Sequence, residues 1–198
     1  MNKMVANGFK IIVCVVLLPF AVASVISFEK QLMQYSSQYK DMFLWGVMAF
    51  IGVFLFVYQF YGLHEFGQQS IAKMLSFVAP LNTFIAKLFP FYVILILLLV
   101  WATDKFIGTQ GMTQYTMFFA GFFLAMHLLL TAHLIGEGEK IRISLDYLFS
   151  MILIVVASLF ITVLLLDLVF DKSTVSGYFN KSLDLGQDIL RSYIGKLF

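Results

Sequence analysis

Five long apolar stretches, separated by short polar segments, dominate the chain. They cover residues 9–28, 43–63, 83–102, 115–135 and 148–170. A membrane-spanning helix needs about 20 mostly apolar residues to cross a hydrocarbon core of about 30 Å, and each stretch has that length. The pattern predicts an all-α integral membrane protein in which residues 1–171 form a bundle of five transmembrane helices.

Two shorter segments have the pattern of amphipathic helices. Residues 68–79 alternate apolar and polar positions at helical spacing but are too short to cross a bilayer, which predicts an interfacial helix after the second span. In the tail, residues 172–198, six apolar side chains share one helical face. They are Phe179, Leu183, Leu190, Tyr193, Ile194 and Leu197. We expect this amphipathic C-terminal helix to dock on the membrane surface or on a partner.

Prolines interrupt the first and third stretches. Pro19 and Pro90 each predict a kink, because proline removes a backbone hydrogen bond from a helix. The sequence Ala21-Val22-Ala23 after Pro19 is typical of the cleavage site of a secretory signal. Apolar character continues through Phe28, and we therefore expect an uncleaved first helix.

Composition supports the membrane assignment and limits the partners. Residues of the apolar set make up 61% of the chain and charged residues 12%, against about 25% charged residues in soluble domains. So much apolar surface needs a lipid bilayer to cover it. The net charge of +2 indicates no nucleic-acid partner. A single cysteine, Cys14, excludes an internal disulfide.

The distribution of cations specifies orientation only weakly. With the N-terminus inside, six cations lie on the inner side and five on the outer side, when only the tail cations near the last span, Lys172 and Lys181, are counted. This is a near balance under the positive-inside rule. The signal-like start favours an inside N-terminus. We expect a multi-pass protein of a bacterial inner (cytoplasmic) membrane.

His127 stands near the middle of the fourth stretch, where an ionisable side chain is costly unless it faces protein or water. Thr116 and Thr131 fall within about 40° of it around the helix, so this polar stripe is expected to face the bundle interior. Gln59 of the second helix lies near the same surface. Two interpretations stay open: a proton relay or substrate contact, and a neutral histidine that makes one interhelical hydrogen bond.

The other two histidines, His64 and His133, are candidate partners of His127 in a haem site. His64 ends the second stretch and His133 lies within a turn of the end of the fourth, so both belong to one side of the membrane. His127 and His133, six residues apart, point about 120° from each other and cannot face one pocket. A b-type haem with His64 and one of the other two is conceivable, but we expect no cofactor and no metal.

The sequence His64-Glu65-Phe66-Gly67-Gln68 resembles the His-Glu-Phe-Gly-His helix of the intramembrane site-2 zinc proteases. In that family two histidines bind zinc and the glutamate activates water. Here glutamine occupies the second ligand position, and no Asp-Gly motif supplies the third. The resemblance covers five residues and implies an inactive relic of such a site at most.

Two further features indicate contacts with other proteins. Asp167, four residues before the end of the fifth stretch, is expected to snorkel to the interface or to pair with a cation of a neighbouring chain. Gly121 and Ala125 form a small-xxx-small pair on the face of the fourth helix opposite His127, a spacing that favours close helix packing. A protein partner or a homo-oligomer is therefore expected to use the fourth helix and the tail.

No complete catalytic, metal or nucleotide motif occurs in the chain, which argues against an enzyme without excluding one. The sequence favours a non-catalytic subunit or scaffold of a larger membrane complex. The alternative is a small transporter, channel or transport subunit, with a polar path along the His127 face of the fourth helix. A haem protein or a metalloprotease-like protein is the third interpretation.

Overall fold

The computed structural model describes residues 3–56, 60–78, 82–107, 113–136 and 144–197. Within these ranges the chain is almost entirely helical and contains no strand, which confirms the all-α prediction. The helices are α1 (Lys3–Tyr35), α2 (Ser37–Phe56), α3 (Phe60–Met74), α4 (Asn82–Ala86), α5 (Phe91–Ile107), α6 (Thr113–Gly136), α7 (Leu145–Phe170) and α8 (Val175–Leu197), with one 3-10 turn at Ser76–Val78.

Four segments in the described ranges are long and apolar enough to cross a membrane. They are Lys10–Tyr35, Ser37–Phe56, Gln114–Gly136 and Leu145–Phe170. The predicted five-span count is not confirmed, because the third predicted span is shorter in the structure. Its main helix, α5, has 17 residues, or about 26 Å at 1.5 Å per residue.

The third predicted span is broken at Pro90 rather than kinked there. Helix α4 ends in a tight turn in which the backbone N–H groups of Lys87, Leu88 and Phe89 bond to carbonyls three residues earlier. Proline disfavours a helical conformation in the residue before it, and so a new helix begins at Phe91. The Pro90 carbonyl accepts the first bond of α5, from the N–H of Ile94.

Contacts between helices fix their directions. Lys10 pairs with Asp146 near the start of α7, and Tyr35 donates to Asp167 near its end, so α1 and α7 run in the same direction. We call the two ends of the bundle the Lys10 end and the Tyr35 end. Helix α2 starts directly after α1 at the Tyr35 end. Gly136, the last residue of α6, lies beside Tyr147 at the Lys10 end.

Two glycines let α2 and α6 approach each other backbone to backbone. A methyl group built on Gly46 would lie 1.9 Å from the carbonyl oxygen of Phe118, and one built on Gly121 would lie 2.1 Å from that of Phe43. Small residues allow such approach in membrane helices. The face of α6 that carries Gly121 is thus covered by the chain's own α2.

Helix α3 differs from the predicted interfacial helix at residues 68–79. It begins at Phe60 and ends at Met74, so the expected end of the second span near residue 63 lies inside it. An interfacial position of this segment is not confirmed. Helix α1, in contrast, continues through Pro19 without interruption.

Asp167 anchors the start of α8 instead of reaching toward water. Its carboxylate is buried and accepts hydrogen bonds from the Tyr35 hydroxyl, from the Thr174 N–H and hydroxyl, and from the Val175 N–H at 2.8 Å. These N–H groups open α8, and a carboxylate at such a position satisfies donors that lack a helical partner. The predicted tail therefore turns back along α1 and α7.

Candidate functional site

A polar cleft of about 300 Å³ lies between α3, the end of α4 and the last turns of α6. Six of its nine lining side chains are polar or charged. The lining comprises His64, Glu65, Gln68, Gln69, Ala72, Ala86, Lys87, Thr131 and Leu134. Because Thr131 and Leu134 belong to the last turns of α6, the cleft lies toward the Lys10 end of the bundle.

His64 and Thr131 form the inner wall of this cleft. Both are buried, and the His64 Nε2 lies 3.1 Å from the Thr131 hydroxyl oxygen. The ring of His64 is also 5.7 Å from the ring of His127, centroid to centroid. Two histidines that are 63 positions apart in the sequence thus meet at one site.

His127 is the deepest polar group of the site. Its side chain is 3% exposed, and among the described residues no hydrogen-bond partner reaches its Nε2 atom. The backbone of Lys87 is near enough to interact with the ring. An unpartnered buried polar atom costs about 1–3 kcal/mol. Such an atom is explained by a functional role or by a bound water or ion.

His64 brings an imidazole ring with two nitrogens to the inner wall of the cleft. A neutral imidazole has one nitrogen that donates a hydrogen bond and one that accepts. His64 can therefore accept a proton at one nitrogen and release the other proton from the opposite side of the ring.

Close packing against α5 fixes the position of α3. A methyl group on Gly67 would lie 3.0 Å from the rings of both Phe91 and Tyr92, so the helix surfaces touch at this glycine. The Tyr92 hydroxyl donates to the carbonyl of Leu63 at 2.6 Å. These contacts join α3 to the first turn of α5 and hold His64 toward α6.

The break between α4 and α5 lies halfway through the bundle. The Ser158 hydroxyl, at the middle of α7, donates to the carbonyl of Leu88 at 3.4 Å. Helix α5 consequently begins at mid-depth, and Lys87 in the turn before it lines the cleft. The backbone is irregular here beside a polar cavity, the setting in which irregular structure is tolerated at membrane depth.

The remaining predicted polar residues lie elsewhere. Thr116 is buried but stands 11 residues before His127, about 16 Å along α6, and so does not belong to the cleft. His133 is exposed, with its ring 5.1 Å from that of Tyr61. Gln59, the partner expected for His127, lies outside the described residues.

The short motif on α3 contributes to the cleft without forming a metal site. His64, Glu65 and Gln68 all line it, as residues one turn apart on one helix can. Across the described part of the chain, no group of three or more His, Cys, Asp or Glu side chains is placed to hold a metal ion. These residues supply a polar wall with one carboxylate and one imidazole.

Sequence reasoning missed Lys87 and Gln69 as parts of the site. Lys87 falls inside the third apolar stretch, which the sequence predicts as one helix kinked at Pro90. The sequence signal that could have placed it is its position three residues before Pro90. If the helix stops before Pro90, Lys87 lies in the turn at its end, where the side chain can reach a cleft between neighbouring helices.

The part of the chain that the structure describes is thus helical, with four membrane-length segments and a polar cleft beside a broken helix. In comparisons with known proteins, no family model matches the chain, and neither a curated protein nor a solved structure matches it. Its function has to be inferred from the residues of the cleft.

Proposed function

We propose that this protein is a small membrane transport protein, or the transport subunit of a complex, that moves protons through the polar cleft. The observation that carries the proposal is the meeting of His64, Thr131 and His127 beside the mid-depth break before Pro90. Discontinuous helices that open a polar site near the bilayer midplane are characteristic of transporters.

Protons are favoured over larger solutes by the chemistry of the inner wall. The inner wall and the histidine behind it supply two imidazoles and a hydroxyl, each of which both donates and accepts hydrogen bonds. The rings of His64 and His127 lie 5.7 Å apart, centroid to centroid, which places the exchangeable protons of two imidazoles close together. Glu65 at the exposed side of the cleft is suited to collect protons from water.

The path continues beyond His127 only if the bundle moves. On the Tyr35 side of His127, the buried face of α6 carries Leu124, Ala120 and Met117, which pack in the apolar core. A path open to one side and closed by packed side chains on the other is one state of an alternating-access cycle. We infer that rearrangement of α3 and the α4–α5 turn against α6 opens the second state.

We further propose that the cleft faces the cytoplasm of a bacterial cell, with the N-terminus inside. Lys10 and the cleft are at the same end of the bundle, so this orientation follows if the basic N-terminus stays inside. In this arrangement α3, α4 and α5 together would make the fifth crossing that the sequence predicts.

The subunit or scaffold function favoured by the sequence remains the second candidate. It is supported by α8, whose outward face carries exposed charged residues while its inner face packs on α1 and α7. A charged helix face beside two membrane-length helices suits contact with another protein. The two candidates are compatible if the protein transports protons within an assembly.

Proton flux in vesicles tests the proposal. Purified protein in liposomes, with a pH-sensitive dye trapped inside and a potassium diffusion potential as the driving force, is expected to acidify or alkalinise the lumen faster than protein-free vesicles. His64→Gln should lower the flux by about tenfold or more, because it removes an ionisable relay group inside the bundle. His133→Gln, on the exposed side of α6, is the matched control and should retain the flux.

Absence of flux above the protein-free background would reject proton transport, and equal flux in His64→Gln and the wild type would reject the relay.

An absorption spectrum of the same sample tests the third interpretation, a haem protein. A Soret band would replace both candidates with a b-type haem protein.

A further inference from the structure

A stripe of charged side chains on α8 has no partner in the described part of the chain. It consists of Lys181, Asp184, Asp188 and Arg191, which fall within about 80° of one another around the helix. All four are exposed, and the ion pairs among the described residues do not involve them. We call these four residues the α8 charged stripe.

Contacts of α8 place the stripe at the depth of the membrane-length helices. The Tyr178 hydroxyl lies 3.4 Å from the carbonyl of Ser24, and a methyl group on Gly186 would lie 2.5 Å from the ring of Phe20. Ser24 and Phe20 are in the middle of the segment Lys10–Tyr35. The stripe therefore starts at mid-depth and extends toward the Lys10 end.

A contact between α8 and α7 places α8 at the same depth in the bundle. The ring of Phe179 is 6.3 Å from that of Phe160, which is near the middle of α7. Charged side chains at such depth face protein or water, not lipid tails. The α8 charged stripe must consequently be covered by something other than lipid.

We propose that a second copy of this chain covers the α8 charged stripe, in a dimer with its two-fold axis along the membrane normal. In the stripe, Lys181 is three residues from Asp184, and Arg191 is three residues from Asp188, about 4.5 Å along the axis. Two α8 helices that run side by side in the same direction can then pair each cation with an anion of the other copy. The stripe is complementary to itself, as a two-fold interface requires.

The glycines of α8 allow the two helices to meet. Gly177 and Gly195 lie at the centre of the stripe's face, and a methyl group built on either would touch nothing within 4 Å. These positions are open in the single chain. They leave room for close approach of a second α8, the arrangement that small residues favour between membrane helices.

Charge exchange within the stripe tests the proposal. Lys181→Asp is expected to weaken dimerisation in detergent and in vesicles by about 100-fold, because it sets like charges against each other across the interface. The double variant Lys181→Asp with Asp184→Lys restores opposite charges and should restore the dimer. Lys196→Asp, also on α8 but outside the stripe, is the matched control and should leave the dimer unchanged.

Disulfide crosslinking in the membrane gives an independent readout. In a Cys14→Ser background, Gly177→Cys should crosslink to itself, whereas Val25→Cys, at a similar depth on the outer surface of α1, should not. The proposal would be overturned if the wild type is monomeric in vesicles. It would also be overturned if Gly177→Cys crosslinks only to a different protein. Loss of proton flux with the dimer intact would overturn the transport function alone.

Discussion

Gly46→Ala is expected to destabilise the protein more than any other single methyl addition in α2. The new methyl group would lie 1.9 Å from the carbonyl oxygen of Phe118 and 2.8 Å from its carbon. Those atoms are backbone and cannot rotate away, so α2 and α6 must separate. Overpacking of this kind costs about 1–3 kcal/mol and occasionally more. We expect a loss of unfolding free energy at the upper end of this range. It is measured as a lower midpoint in thermal or SDS unfolding.

Gly121→Ala should behave in the same way, since its methyl group would lie 2.1 Å from the carbonyl oxygen of Phe43. Gly52→Ala in α2 is the matched control. Nothing lies within 4 Å of the added group there, and alanine favours a helix over glycine by about 1 kcal/mol. Stability of Gly46→Ala equal to that of Gly52→Ala would contradict the close contact between α2 and α6.

His127→Leu is expected to separate stability from function. Among the described residues nothing pairs with the Nε2 atom of His127, and replacing the ring by leucine recovers part of a cost of about 1–3 kcal/mol. The unfolding midpoint should therefore stay the same or rise. Proton flux should fall to the level of protein-free vesicles, because the relay loses its deepest ionisable group.

The same variant distinguishes the transport function from the scaffold function. A scaffold would tolerate His127→Leu in every assay, with assembly unchanged and no flux to lose. Wild-type flux in His127→Leu would place the proton path elsewhere. A marked loss of stability would instead show that the interaction of the ring with the Lys87 backbone is a structural hydrogen bond that leucine cannot replace.

The hydrophobic pattern predicted the helical class and most of the membrane-length helices well. Four of the five apolar stretches correspond to membrane-length helices, because length and apolar composition alone determine that property. The third stretch differed at Pro90. A proline can kink or end a helix, and the choice depends on whether neighbours such as Ser158 satisfy the freed carbonyl groups.

The candidate site was predicted in part. The stripe of His127 and Thr131 followed from helical periodicity, since both residues are on one helix. Their meeting with His64 did not follow, because it depends on where α3 turns after α2 and on its contact with Tyr92. From the distance of Asp167 to the end of the fifth stretch, the sequence predicted that its side chain reaches the membrane interface or a neighbouring chain. Its partners at Tyr35 and Thr174 come from two other segments, which periodicity within one helix cannot reveal.

Cysteine accessibility tests most directly whether the cleft is a water-filled path at membrane depth. In a Cys14→Ser background, Lys87→Cys lies in the cleft, while Leu129→Cys lies on the outer surface of α6. In vesicles of known orientation, a charged maleimide that does not cross membranes should label Lys87→Cys from one side only and leave Leu129→Cys unlabelled, since the reactive thiolate needs water. Failure to label Lys87→Cys from either side would contradict an aqueous cleft and the transport function built on it.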